Sequence, residues 1–114
     1  MKREQIAKNI VADLKELAAL TSDADGAQRV AWTPTFKKAT EWFTQKMQAA
    51  GADVWTDAAG NSWAKFAGES KECIVIGSHL DSVPDGGWLD GALGVVAGMG
   101  IGAYGLADKK PAKT

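Results

Sequence analysis

The stretch "ECIVIGSHLDSVPDGGWLDGALGVVAGM", residues 72 to 99, decides how this chain is read. It opens on the continuous apolar run Cys73 to Ile76. Such a run, with no polar alternation, predicts a third strand over "ECIVIGSH" buried on both faces, as in the middle of an α/β sheet. The chain then enters a loop that carries its single histidine, His79, together with Asp81, Asp85 and Asp90. Beyond the loop, Leu93, Val96 and Met99 resume helical spacing, weakened by Gly98, Gly100, Gly102 and Gly105. A strand feeding a helix in this way implies a parallel element. In open α/β sheets, ligands gather at the carboxyl ends of strands, where His79 falls.

Working outward, Ile6, Ile10, Leu14 and Leu17 recur at helical spacing with charges on the opposite face, so residues 2–20 read as an amphipathic helix. The segment "TSDADGAQRVAW" is a loop by composition. In "TPTFKKATEWFTQKMQAAG" Thr33 can cap a second helix, Pro34 suits its first position and Gly51 its left-handed stop. Phe36, Ala39, Phe43, Met47 and Ala50 make its expected buried stripe. Val54 with Trp55, then Trp63 with Phe66, mark two short strands around Ala59, Gly60 and Asn61. Trp42, Trp55 and Trp63 are expected in the core. The tail "ADKKPAKT" is polar and is expected to fray. The resulting order is α, α, β, β, β, α, an α/β fold.

The totals set limits. One hundred and fourteen residues make one domain at most. A net charge of −1 gives no electrostatic case for nucleic acid or an anionic membrane. Charges at Lys8, Asp13, Lys15 and Glu16 interrupt the N-terminal apolar pattern, which excludes a signal peptide or membrane span there and leaves the cytoplasm as the expected location. The lone Cys73 reads as a small buried hydrophobe in a reducing compartment.

The loop residues suggest metal chemistry. His79 and Asp81, two apart on an extended segment, can point the same way. A carboxylate that accepts one ring N–H fixes the tautomer and leaves the other nitrogen for a metal. Pro84 and Gly86–Gly87 allow the loop to fold back and bring Asp90 towards His79. A carboxylate can bridge two divalent cations, and such pairs activate water. Histidines flanked by aspartates are also found on solvated turns. The aspartate spacing does not fit a calcium loop. "GIGAYG", residues 100–105, lacks the strand and the later acidic residue that a dinucleotide fingerprint needs. Ser78 and Ser82 have no base to make either a nucleophile.

"GSHLDSVPDGGWLDGALGV", preceded by "RVAWTPTFKKATEWFTQKMQAAGADVWTDAAGN", resembles the N-terminal part of the M20-type metallo-amidases. It is most similar there to the N-carbamoyl-L-amino-acid hydrolases, with allantoate amidohydrolase and β-ureidopropionase as siblings. The resemblance runs from about Arg29 to Met99, and more loosely from the first helix. It implies the N-terminal part of a zinc-peptidase-like α/β catalytic domain over residues 1–114, with His79 and Asp90 as metal ligands. Asp90 would bridge two ions, and Asp81 would orient His79. The implied cofactor is zinc or manganese, and the implied substrate a small linear amide or ureido compound. The resemblance also implies an unusual, often cis, peptide at Asp90–Gly91.

The chain departs from that pattern in length. The paired glutamates, the remaining histidine ligands and the lid or dimerisation domain that the resemblance implies have no counterpart before Thr114. The expectation is therefore a truncated hydrolase, inactive alone. The alternative is a non-catalytic remnant that folds, or assembles as a homo-oligomer, without activity.

Overall fold

In the computed structural model, which describes residues 1–106, the fold begins with helix α1, Arg3–Thr21. Its inward face carries Leu14 and Leu17, with Ile10 packed beside them, as the helical spacing requires. Helix α2, Pro34–Ala49, has the expected boundaries. The Thr33 side chain accepts a hydrogen bond from the Phe36 amide at 3.2 Å, Pro34 occupies the first turn, and Gly51 stops the helix at φ +93°. The buried face is turned from the expected stripe. Ala39, Trp42 and Met47 are buried, Phe43 is half-buried against them, and Ala50 is exposed.

Strands β3, Asp53–Thr56, and β4, Ser62–Lys65, form the expected antiparallel hairpin, with Trp55 opposite Trp63. The two indoles stack at 6.1 Å on the outer face, both exposed by more than a third, so only Trp42 of the three is a core residue. The loop predicted for residues 21–32 contains a minimal hairpin, β1 (Ser22–Asp23) with β2 (Gly26–Ala27). Its turn is closed by Asp23 Oδ1, which accepts from the Asp25 amide at 2.9 Å.

The expected third strand is not laddered. Among the described residues no strand pairs with residues 72–79, and both sheets are antiparallel two-stranded pairs, so the parallel element is absent too. Ile74 is 78% and Val75 69% exposed, and Cys73 is exposed rather than buried. The reason is physical: a strand buried on both faces needs neighbours on both edges, and the described residues supply none.

Helix α3, Ala92–Gly100, packs on α1 and continues into a π-helical turn, Ile101–Gly105. Ala92, Val96 and Met99 join Leu14, Leu17, Ala39, Trp42, Met47 and Ala52 in one core, while Leu93 faces solvent. The glycines that weaken helical propensity here permit contact. A Cβ on Gly94 would lie 2.7 Å from Ser78 Cβ, and one on Gly102 would lie 2.2 Å from the Phe66 ring. The "GIGAYG" segment is thus a packed helix end. No helix among the described residues is long and apolar enough to cross a membrane. The expectation of a frayed tail lies outside the described residues.

Candidate metal centre

The loop from Leu80 to Gly86 gains its shape by docking on β2 and the two residues after it. Ala27 and Gly86 exchange both backbone hydrogen bonds, at 2.9 and 3.0 Å. Gln28 donates to Asp85 Oδ1 at 2.7 Å and accepts from the Asp85 amide at 3.1 Å. Arg29 is tied twice to Ser82: its amide donates to Ser82 Oγ at 3.0 Å, and its carbonyl accepts from the Ser82 amide at 2.8 Å. Segment 26–29, a loop by composition, is therefore the clamp for the histidine loop.

That clamp leaves His79 and Asp81 on the same side. The Asp81 Oδ1 lies 3.3 Å from His79 Nδ1, and the Asp81 carbonyl lies 3.1 Å from the same nitrogen. Two acceptors at Nδ1 favour the tautomer with the proton there, which leaves the Nε2 lone pair facing outward. Facing that lone pair, at 3.9 Å, is Oδ2 of Asp90. The structure therefore brings His79, Asp81 and Asp90 together, one carboxylate at each ring nitrogen.

Gly91 makes the approach of Asp90 feasible. It follows Asp90 at φ +68° and ψ −46°, a conformation open to glycine, and a Cβ there would collide with the His79 carbonyl oxygen and lie 2.5 Å from its ring Cε1. The turn is braced by the Leu93 amide, which donates to the Leu89 carbonyl at 3.0 Å, and by the Val95 amide, which donates to Gly91. No cis peptide occurs among the described residues, so the Asp90–Gly91 bond differs from the implied geometry.

The donor set suits a divalent cation. The Nε2 lone pair and a carboxylate oxygen are both electron-pair donors, and face to face they repel unless a cation or proton lies between them. Typical metal–nitrogen and metal–oxygen lengths of about 2.1 Å place tetrahedral ligand atoms roughly 3.4 Å apart. Closing the 3.9 Å separation to that value asks for about half an ångström of movement. Both side chains are more than half exposed, so a cation can reach them.

Arg29 is the residue that sequence reading passed over. Its side chain is fully buried, Nε donates to the Leu80 carbonyl at 2.8 Å, and Nη1 lies 3.5 Å from Thr21 Oγ1. Nη2 is buried with no hydrogen-bond partner among the described residues. Burial lowers the pKa of the guanidinium, opposed by the charges of Asp90 and then Asp81. Both candidate-site carboxylates thus lie in its field. An arginine in a loop of polar composition gives no signal of burial; its neighbour at Ser82 is 53 positions away.

The α/β chain is homologous to amidohydrolases. No family model matches it. Over 95 residues it is 36% identical to an N-carbamoyl-L-amino-acid amidohydrolase of Paenarthrobacter aurescens, a match covering 82% of this chain and 23% of that protein. Over 99 residues it is 33% identical to a probable allantoate deiminase of Oryza sativa subsp. japonica, covering 85% and 20%. The particular likeness is structural as well. A hydantoinase/carbamoylase family amidase from Burkholderia ambifaria superimposes with a TM-score of 0.79 at 31% identity, over 92% of this chain and 28% of that one. The chain spans about a fifth to a quarter of the length of the curated relatives it matches.

Proposed function

We propose that this chain is the metal-ligand-bearing N-terminal portion of an M20-type amidohydrolase catalytic domain, one that hydrolyses linear C–N bonds in N-carbamoyl amino acids or related ureido compounds. The convergence of His79 Nε2 and Asp90 Oδ2 at 3.9 Å carries this reading. The substrate class is inferred from the relatives, whose names speak of N-carbamoyl-L-amino acids and of allantoate.

In this reading His79 and Asp90 would hold zinc or manganese. When bound, the metal supplies Lewis acidity towards the scissile carbonyl and the water of hydrolysis. Asp81 holds the His79 ring with Nε2 outward, as a carboxylate behind a ligating histidine does. Gly91 keeps the space beside the ring clear of any side chain. The described residues offer two first-rank donors where a catalytic zinc takes three protein ligands and an open position, and no carboxylate stands ready as general base. The chain alone then binds metal without turnover.

Calorimetric titration with zinc and with manganese tests the reading. Wild-type protein is expected to bind near micromolar concentration, and His79→Ala or Asp90→Ala to weaken binding at least tenfold, while N-carbamoyl amino acid and allantoate remain intact. Wild-type protein that takes up neither metal would remove the metal reading. Hydrolysis of either compound would overturn the inactivity of the chain alone.

A further inference from the structure

We infer that Arg29 is a positioning residue of this centre, a buried fork that fixes Asp81 and through it the orientation of His79. The inference rests on the metal-centre reading above. Three hydrogen bonds join Arg29 to the residues flanking Asp81. The guanidinium Nε–H donates to the Leu80 carbonyl at 2.8 Å, and the Arg29 backbone pairs twice with Ser82, at 2.8 and 3.0 Å. Held on both sides, the backbone at residue 81 can turn little. Side chains alternate along an extended segment, so anchoring 80 and 82 on one side commits the Asp81 carboxylate to the other, towards His79 Nδ1.

The chemistry of the guanidinium argues against simple space filling. A fully buried cation with no direct ion partner among the described residues is a costly core residue, and an apolar side chain of similar volume fills such a space at less expense. What an apolar chain cannot do is donate to Leu80 from beneath. A lysine cannot do it in the same way, because its donors lie at the end of a flexible stem rather than along a planar fork. The carboxylates whose charges act on Arg29 are Asp90 and Asp81, the two that face the His79 nitrogens. The buried cation is therefore matched to this centre by charge as well as by hydrogen bonds.

The only histidine in the chain gives a direct readout. Nitrogen-15 spectra of the metal-free protein report its tautomer, and a zinc titration reports affinity. Wild type is expected to hold the proton on Nδ1. Arg29→Lys, folded by circular dichroism, is expected to show a mixed tautomer population and a zinc Kd raised by about tenfold or more, the usual scale for a partner behind a metal ligand. Ser82→Ala, which keeps the guanidinium but removes one of the three bonds, is expected to move both readouts in the same direction by less, and it decides the matter if Arg29→Lys does not fold. A folded Arg29→Lys, or Ser82→Ala in its absence, with wild-type tautomer and affinity would overturn the inference. Failure of the wild type to bind zinc would instead remove the metal reading, leaving the metal-free tautomers to judge Arg29.

Discussion

Gly91 shows how one residue governs the centre. Its backbone lies against the His79 ring and carbonyl at distances that admit hydrogen only. Gly91→Ala therefore does more than add the backbone strain that a side chain meets at φ +68° and ψ −46°. The methyl displaces His79 or Asp90, and the expected outcome, read by zinc titration and chemical denaturation, is a loss of affinity larger than the loss of stability explains. A second residue-scale network lies across the core. Tyr104 donates to Asp13 Oδ2 at 2.5 Å, and Lys46 bridges Asp13 and Glu16 at 3.2 Å each. Burial, then the Asp13 bond, push the Tyr104 phenol from 10.0 up to about 12. Its protonated form is the one the fold favours, so its contribution is present below pH 10.0 and fades as the pH rises towards about 12. Tyr104→Phe, which strips one partner from a buried carboxylate, is expected to cost about 1–3 kcal/mol in denaturant unfolding at neutral pH. That His79, Asp81 and Asp90 lie together was legible, because they stand within twelve positions on one loop. Arg29 was not, because its burial depends on Leu80 and Ser82, more than fifty residues away.

At the scale of elements, legibility followed the range of the forces. Helix α2 was readable to its ends, since Thr33, Pro34 and Gly51 act within a turn of their own positions. The β3–β4 hairpin was readable for the same reason: Asp57 accepts from the Ala59 and Asn61 amides, from the Asn61 side chain and from the Trp63 indole, which closes the turn locally. These bonds, the indole first, hold the Asp57 carboxyl at about 2 against an ordinary 3.8. A lowered value means that the hairpin's support from Asp57 is present above pH 3.8 and is lost as the pH falls towards about 2. The Trp63 indole N–H resonance is expected to lose its protection over that interval, and Asp57→Asn to abolish the pH dependence. A Trp63 signal unchanged through the same titration would contradict this. By contrast, the missing third ladder depends on what lies alongside, which a local pattern does not encode. Residues 72–76 carry the pattern of a central strand without central neighbours.

For the whole molecule, the consequence is apolar surface. Ile74, Val75, Ile76, Val83, Leu93 and Ile101 are all exposed, and residues 72–79 make no backbone ladder among the described residues. Surfaces of this kind drive association. Light scattering is expected to show mass rising with protein concentration, and Val75→Glu to shift the distribution towards the monomer without altering zinc affinity. A monodisperse monomer at high concentration would contradict that expectation. The α/β class and the relation to amidohydrolases hold although no strand pairs with residues 72–79, because the helices, the hairpin and the clamped loop form their own core.

The most direct test of the central claim is an anomalous difference map from crystals grown with zinc. A peak bonded to both His79 Nε2 and Asp90 Oδ2 is expected. Anomalous density confined to the exposed Asp23, Asp25 and Asp85 carboxylates, with none between the histidine and Asp90, would contradict it.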